Sequence, residues 1–168
     1  MTIIDENTVV VNTSAELKNI LENNNTYNYI YFGSNITLTS GIIISSTKTN
    51  ITIDGTYENI TYEFTDLKST GAADTIRVNS VINKITIKNM KITGYNYYGV
   101  IYVPEEAKYK DVITEYNNIS YLGPQISFHP YGLTRFIDVN IEIQDNYAVG
   151  NEVAECNKIE IGGTSTIT

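Results

Sequence analysis

A parallel β-solenoid, all-β except for one short N-terminal capping helix, is the fold this sequence predicts. Three observations carry the prediction. Short runs rich in Ile, Val, Thr and Tyr, bounded by Gly, Asn, Ser or Thr, follow one another along most of the chain, which is the composition and punctuation of strands and turns. Residues 84–94 alternate apolar and polar side chains, the period of a strand with one buried face. The same beat returns on sliding 27 places, with Ile85 over Val112, Ile87 over Thr114 and Ile92 over Ile119, and with Gly94 and Gly123 near the two ends. A recurrence of this length built only from strands and turns is the mark of one coil stacked on another.

The elements follow in order. Val9, Val10 and Val11 form a first strand ahead of the repeats. Thr13 or Ser14 offers an N-cap hydroxyl, Glu16 favours the positive end of a helix, and Leu17, Ile20 and Leu21 make one apolar stripe that ends at residues 23–25, all Asn. A solenoid has to cover its first coil, and a one-striped helix suits that task. The expected organisation is therefore a single domain over 1–168, with strand and capping helix in 1–26 and coils in 27–168.

Residues 29–32, 36–38, 41–44 and 51–55 read as short strands, with Asp54-Gly55 turning a corner rather than closing a hairpin. Residues 59–64 and 74–78 supply further strands around a loop. Residues 99–103 lie between the paired coils, and residues 104–110 read as a charged surface loop. Residues 124–132 form a strand closed by a turn rich in Pro and Gly. Residues 136–143 set Phe136, Asp138 and Asn140 against Ile137, Val139 and Ile141, as one strand with one face inside. Residues 151–157 have a helical-turn pattern, residues 159–163 return to strand, and residues 164–168 read as the start of another coil on an uncapped end, as in a fragment of a longer protein.

Composition bounds the function. The 168 residues carry a net charge of −8, which argues against nucleic acid and anionic membrane surfaces, and against strongly anionic polysaccharides unless a cation bridges the two. The chain holds no apolar run of about 18 residues, so no membrane-inserting helix is expected. Cys156 stands alone, excluding a disulfide framework within the chain and a thiolate metal site. Neither a cofactor nor a metal is expected.

Catalytic candidates are few. A calcium-dependent polysaccharide lyase needs converging carboxylates and an arginine or lysine base. The two arginines, Arg77 and Arg135, read as solvated strand residues. Asp138 and Glu142 share a strand face but lie about 13 Å apart, too far for the usual glycosidase pair. Asp54, Asp66 and Asp74 fall at corners or in loops. Glu105, Glu106 and Glu115 lack calcium-loop spacing. His129 precedes Pro130 in a turn, and Cys156 reads as a small buried hydrophobe without a base.

The aromatic residues are the better lead. Of 14 tyrosines, Tyr95, Tyr97 and Tyr98 cluster after Gly94, with Tyr102 just beyond. Tyrosine supplies apolar area, a hydroxyl and little rotamer freedom to lose, so these four are the candidate ligand-binding residues, with an aromatic stack inside the solenoid as the alternative. Tyr27, Tyr29 and Tyr31 line one face of an early strand.

One further pattern spans nearly the whole chain. Residues 50–55 (Asn-Ile-Thr-Ile-Asp-Gly), then Lys88-Asn89-Met90, residues 98–103, Gly123-Pro124-Gln125, and Glu152 to Glu155 before the Gly162-Gly163 pair occur in an order that resembles the pectate-lyase-like adhesive domain of Gram-positive bacterial surface proteins. The resemblance implies a right-handed single-stranded parallel β-helix, extracellular or cell-wall-associated in a bacterium, with a role in adhesion and no catalytic residues to carry over. It also makes Asp54, Gly55, Gly94, Gly123 and Gly163 corner residues, and Asn89 a buried or stacked turn amide. The expected partner is a host or glycan surface ligand, alongside further domains of the same chain. Against this adhesive reading stand a β-helix polysaccharide lyase or hydrolase, which needs Arg77 or Arg135 to meet carboxylates from adjacent coils, and a structural stalk.

Overall fold

The computed structural model describes residues 1–45, 47–144 and 152–168. Strands occupy 49% of the described residues, and fifteen of them join one large, mostly parallel sheet. Its pairings fall into three parallel ladders. The first runs through Thr8–Val11, Tyr29–Phe32, Asn50–Asp54, the starts of Lys84–Thr93 and Ile113–Gly123, and the ends of Ser127–Ile137 and Ala154–Gly162. The second links Ile36–Thr37, Glu63–Thr65, the ends of Lys84–Thr93 and Ile113–Gly123, then Asn140–Ile143 and Thr166–Ile167. The third links Ile42–Ile44, Ile76–Val78, Ile101–Tyr102 and the starts of Ser127–Ile137 and Ala154–Gly162. From Tyr29 onward the chain visits the ladders in the same order at every pass.

Alternation along each strand turns one face inward. In the first ladder Val9, Ile30, Ile53, Ile87, Tyr116 and Phe136 lie in register and are all buried. In the second, Ile36, Phe64, Ile92, Tyr121 and Ile141 do the same. Side chains from all three ladders form one apolar cluster. Tyr116 stacks on Phe136 at 5.6 Å and donates its hydroxyl hydrogen to the Ile126 carbonyl at 2.6 Å, so its polar tip is satisfied inside the core.

The predicted helix spans Ser14–Asn23, with Thr13 as N-cap accepting from the Glu16 amide at 3.2 Å. Leu17, Ile20 and Leu21 are fully buried. Polar groups of the helix also satisfy backbone donors beside it: Glu22 accepts from the Ile43 amide at 2.9 Å, and the hydroxyl of Ser14, on the buried face, accepts from the Thr39 amide at 3.3 Å. Thr2–Ile3 pairs antiparallel with Val9 and Val10 and covers the edge of the first ladder.

The repeat is correct in kind but its register differs from the sequence reading. Ile85, Ile87 and Ile92 pair with Thr114, Tyr116 and Tyr121, two residues beyond Val112, Thr114 and Ile119. A two-residue slip preserves the inward face, so the apolar beat survived it. The true register is set at the corner between the first and second ladders, where Asn89, Asn118, Asp138 and Gly163 stack with φ of +53°, +50°, +53° and +63°. Asn tolerates this left-handed conformation better than most residues. Asn89 donates to Asp54 at 3.0 Å and accepts from Asn118 at 2.9 Å, the stacked amide that was expected.

Other differences have local causes. Asp138 breaks residues 136–143 into Ser127–Ile137 and Asn140–Ile143. The corner changes the phase, so Phe136 points inward and then Val139 and Ile141 do. Residues 154–157 are strand, because they pair with Ser127–Ile137, and Asn151 lies outside the described residues. In the charged loop, the short 3₁₀ turn Ala107–Tyr109 drops Tyr109 fully into the core. The backbone at His129 is strand, with a register shift before Leu133 in place of the expected turn. Gly55 is a corner, but a true hairpin follows it, Thr56–Tyr57 against Ile60–Thr61, turning through Glu58 and Asn59 at φ +50° and +64°. Two consecutive positive φ values are the mark of a two-residue primed turn.

Candidate functional site

The outer face of the third ladder carries a cluster of half-buried rings. Inward residues Ile42, Ile76 and Ile101 leave their neighbours Ile43, Arg77, Tyr102, Phe128 and Glu155 in register on the outside. The loop after Gly94 adds Tyr97 and Tyr98. Fully buried Asn96 holds that loop: its amide donates to the Gly71 carbonyl at 2.9 Å and its oxygen accepts from the Tyr98 amide at 2.9 Å. Gly99, at φ +76°, then returns the chain to the ladder.

The result is a contiguous aromatic patch. Phe128 lies 5.4 Å from Tyr102, 5.2 Å from Tyr98 and 6.3 Å from Tyr97, and Tyr98 lies 5.3 Å from Tyr102. These half-buried rings meet edge-on or tilted, the arrangements aromatic quadrupoles favour. The Arg77 guanidinium sits 5.4 Å over the Tyr102 ring, within cation–π range. At the other end Glu155 neighbours Phe128. Burial, with Glu152 and Glu105 adding like charge, pushes the Glu155 carboxyl up. Burial, with Glu152 and Glu155 nearby, also pushes the Tyr97 phenol up.

Of the four sequence candidates, the structure brings Tyr97, Tyr98 and Tyr102 together. Tyr95 is half-buried and joins none of these ring contacts among the described residues. Phe128 was missed. It lies a full pass later in the chain, so only the strand register reveals it as a neighbour of Tyr102.

The charged candidates resolve differently. Arg135 is not a free solvated side chain: its guanidinium bridges Glu115 at 3.1 Å and Glu160 at 2.9 Å on the two flanking strands. Lys84 also reaches Glu115, and Lys158 reaches Glu160. This is the meeting of arginine and neighbouring-coil carboxylates that a lyase would need. Both carboxylates, however, push the Arg135 pKa up, the wrong direction for a base. Asp138 occupies a corner and accepts from the Thr164 amide at 2.8 Å, while Glu142 projects from the following strand, so the two do not share a strand face. Cys156 is half-exposed rather than buried, and its thiol donates to the Lys158 carbonyl at 3.3 Å. Among the described residues no three His, Cys, Asp or Glu side chains converge as a metal site.

An open groove of about 470 Å³ follows the corner row, lined by Asn89, Asn118, Ser120, Asp138, Asn140 and Thr164. Several of its polar groups are already bonded to one another, as in the Asn89–Asn118 and Asp138–Thr164 contacts. That occupation makes it a structural seam first. No helix of the described chain is long and apolar enough to cross a membrane.

Comparison with known proteins adds one finding. No curated protein and no solved structure matches the chain. The family model of the pectate lyase-like adhesive domain matches residues 8–128, which hold the capping helix, the first three third-ladder strands, the start of the fourth and all four rings of the patch. A match over most of the length, on a β-rich chain with a large parallel sheet, establishes the assignment: the chain belongs to the pectate lyase-like adhesive domain family.

Proposed function

We propose that this chain is a non-catalytic adhesive module of a Gram-positive bacterial protein, secreted or held at the cell wall, and that the patch of Tyr97, Tyr98, Tyr102 and Phe128 contacts a glycan on a host or matrix surface. The observation that carries the reading is the patch itself: four rings from two passes and a pinned loop, gathered outside the core. Ring faces of this kind stack on the apolar faces of sugars, and Arg77 and Glu155 at its two ends supply polar contacts. The scaffold in this proposal is a closed, right-handed parallel β-helix. The constant order of the three ladders supports closure, and the strong right-handed preference of parallel crossover connections supports the hand.

The test is retention on an array of plant, bacterial and host polysaccharides and matrix proteins, with the same array assayed for unsaturated products and reducing ends with and without calcium. Binding without turnover, weakened about tenfold or more in Tyr98→Ala at unchanged melting temperature, is the expected result. Cleavage of any polysaccharide overturns the non-catalytic reading and directs attention to Arg135, Glu115 and Glu160. Binding that Tyr98→Ala leaves intact removes the patch from the reading. Silence on both counts favours a stalk.

A further inference from the structure

The corner between the first and second ladders is crossed economically in most passes. Lys88 and Lys91 are separated only by Asn89 and Met90, yet their register partners Asp54 and Glu63 are separated by residues 55–62. The additional residues form the hairpin Thr56–Tyr57 and Ile60–Thr61. It contributes little to the core: Glu58, Asn59, Ile60 and Thr61 are exposed, Ile60 by 54%. It is nonetheless held firmly. Asp54 accepts from the Thr56 amide at 3.0 Å, the Thr56 and Thr61 hydroxyls meet at 2.9 Å, and the Tyr62 amide donates to the Gly55 carbonyl at 2.8 Å. In repeat architectures, insertions map to loops on one face, which is often the binding face.

The hairpin also builds a concavity. It sets the Tyr57 ring 5.5 Å from Tyr31, which stands 4.8 Å from Tyr29 on the outer face of the first ladder. Between these rings and the N-terminal segment lies a groove of about 460 Å³, lined by Tyr31, Tyr57, Ile4, Thr8, Asn59 and the acidic residues Asp5 and Glu58; Thr56, also in its wall, already bonds Thr61 and the Asn89 carbonyl. Aromatic walls with hydroxyl, amide and carboxylate groups at the rim are suited to a sugar ring, which offers an apolar face and a fringe of hydroxyls. The rim contains carboxylates and no lysine or arginine, so an anionic sugar is disfavoured there.

We propose that the groove between Tyr31 and the Tyr57 hairpin is a second saccharide site, separate from the patch on the third ladder and selective for uncharged sugars. It rests on the reading of the chain as a glycan-binding module, but on different residues. Two sites on one chain would let a single glycan or two neighbouring ones be held together, with avidity set by their spacing.

The experiment is calorimetric titration of the whole chain with tetramers of glucose, mannose and N-acetylglucosamine, and with tetragalacturonate as the anionic comparison. The proteins are the wild type, Tyr98→Ala, Tyr57→Ala and the double variant, each checked for an unchanged melting transition. The expected result is that Tyr98→Ala still binds at least one uncharged tetramer, that adding Tyr57→Ala weakens this binding about tenfold or more, and that tetragalacturonate binds only after Glu58→Lys. Tyr98→Ala binding no uncharged tetramer, or one that Tyr57→Ala leaves untouched, overturns the inference. Tetragalacturonate binding to the unaltered groove overturns its selectivity. Binding lost in Tyr57→Ala but unchanged in Tyr98→Ala would refute the third-ladder patch while sustaining the groove, so the two readings fail separately.

Discussion

Asp66→Asn should stabilise this protein near neutral pH and do almost nothing in acid. Asp66 is 2% exposed, and its carboxyl accepts from the Leu67 amide at 2.8 Å. The Thr75 hydroxyl lies 3.1 Å from its other oxygen, but that hydroxyl also faces the Gly99 carbonyl at 2.5 Å and the Val100 carbonyl at 2.9 Å. A hydroxyl has one proton to give. If Asp66 carries a proton of its own, it donates to Thr75, and Thr75 donates onward to a carbonyl. Burial holds the carboxyl well above its ordinary 3.8, against the smaller opposing pull of the Leu67 amide and Thr75.

The sign follows from linkage. A carboxyl with a raised folded-state pKa gives its full stability below the unfolded value near 3.8 and loses it as pH climbs towards the folded value. Each pH unit within that window costs about 1.4 kcal/mol. Against a typical stability of roughly 5–15 kcal/mol that loss is large. The side-chain amide that replaces the carboxyl in this variant places a donor towards Thr75 and an acceptor towards Leu67 without any ionisation. Urea unfolding from pH 4 to 8 should therefore show the variant and wild type nearly equal at pH 4, then separating in favour of the variant by roughly 0.5–1 M in midpoint for each pH unit within the window. A difference between the two proteins that stays flat with pH would show that Asp66 folds as a carboxylate and would refute the proton count.

Two other substitutions test the frame. Asn89→Gly keeps the left-handed corner and should cost about 1 kcal/mol for the lost amide bonds, whereas Asn89→Val adds backbone strain of about 1–3 kcal/mol, seen as a further fall in the urea midpoint. Arg135→Gln leaves Glu115 and Glu160 to Lys84 and Lys158, and should lower stability by about 1 kcal/mol in dilute buffer and by less in molar salt, measured by scanning calorimetry.

Local signals in the sequence located the local elements. The Thr13 hydroxyl, Glu16 and the stripe of Leu17, Ile20 and Leu21 sufficed for the helix, because capping and a 3.6-residue period act within a few residues. Ladder register was harder. Aligning aliphatic residues puts Ile92 over Ile119, whereas the core positions of the second copy are held by Tyr116 and Tyr121, both nearly fully buried. Matching Asn89 to Asn118 would have given the correct shift of 29, since a corner amide in the left-handed region is rarer than an isoleucine in a strand. The same blindness to register hid Phe128 beside Tyr102, and it hid Arg135 between Glu115 and Glu160. The turn at Glu58 and Asn59 carries no glycine signal, whereas the adjacent Asp54-Gly55 pair does, so the sequence marks a corner there and not the hairpin that follows it.

The corner hairpin has a consequence for how such a chain can change. Its two ends are clamped by neighbours that do not depend on it, Asp54 beside Lys88 and Glu63 beside Lys91. Whatever sequence closes that gap, the next strand begins from the same rung. Residues 57–61, between Thr56 bonded to Asp54 and Tyr62 packed against the core, can therefore drift, lengthen or be exchanged while the ladders keep their alignment, and the proposed recognition surface acquires a history of its own, nearly independent of the frame that carries it.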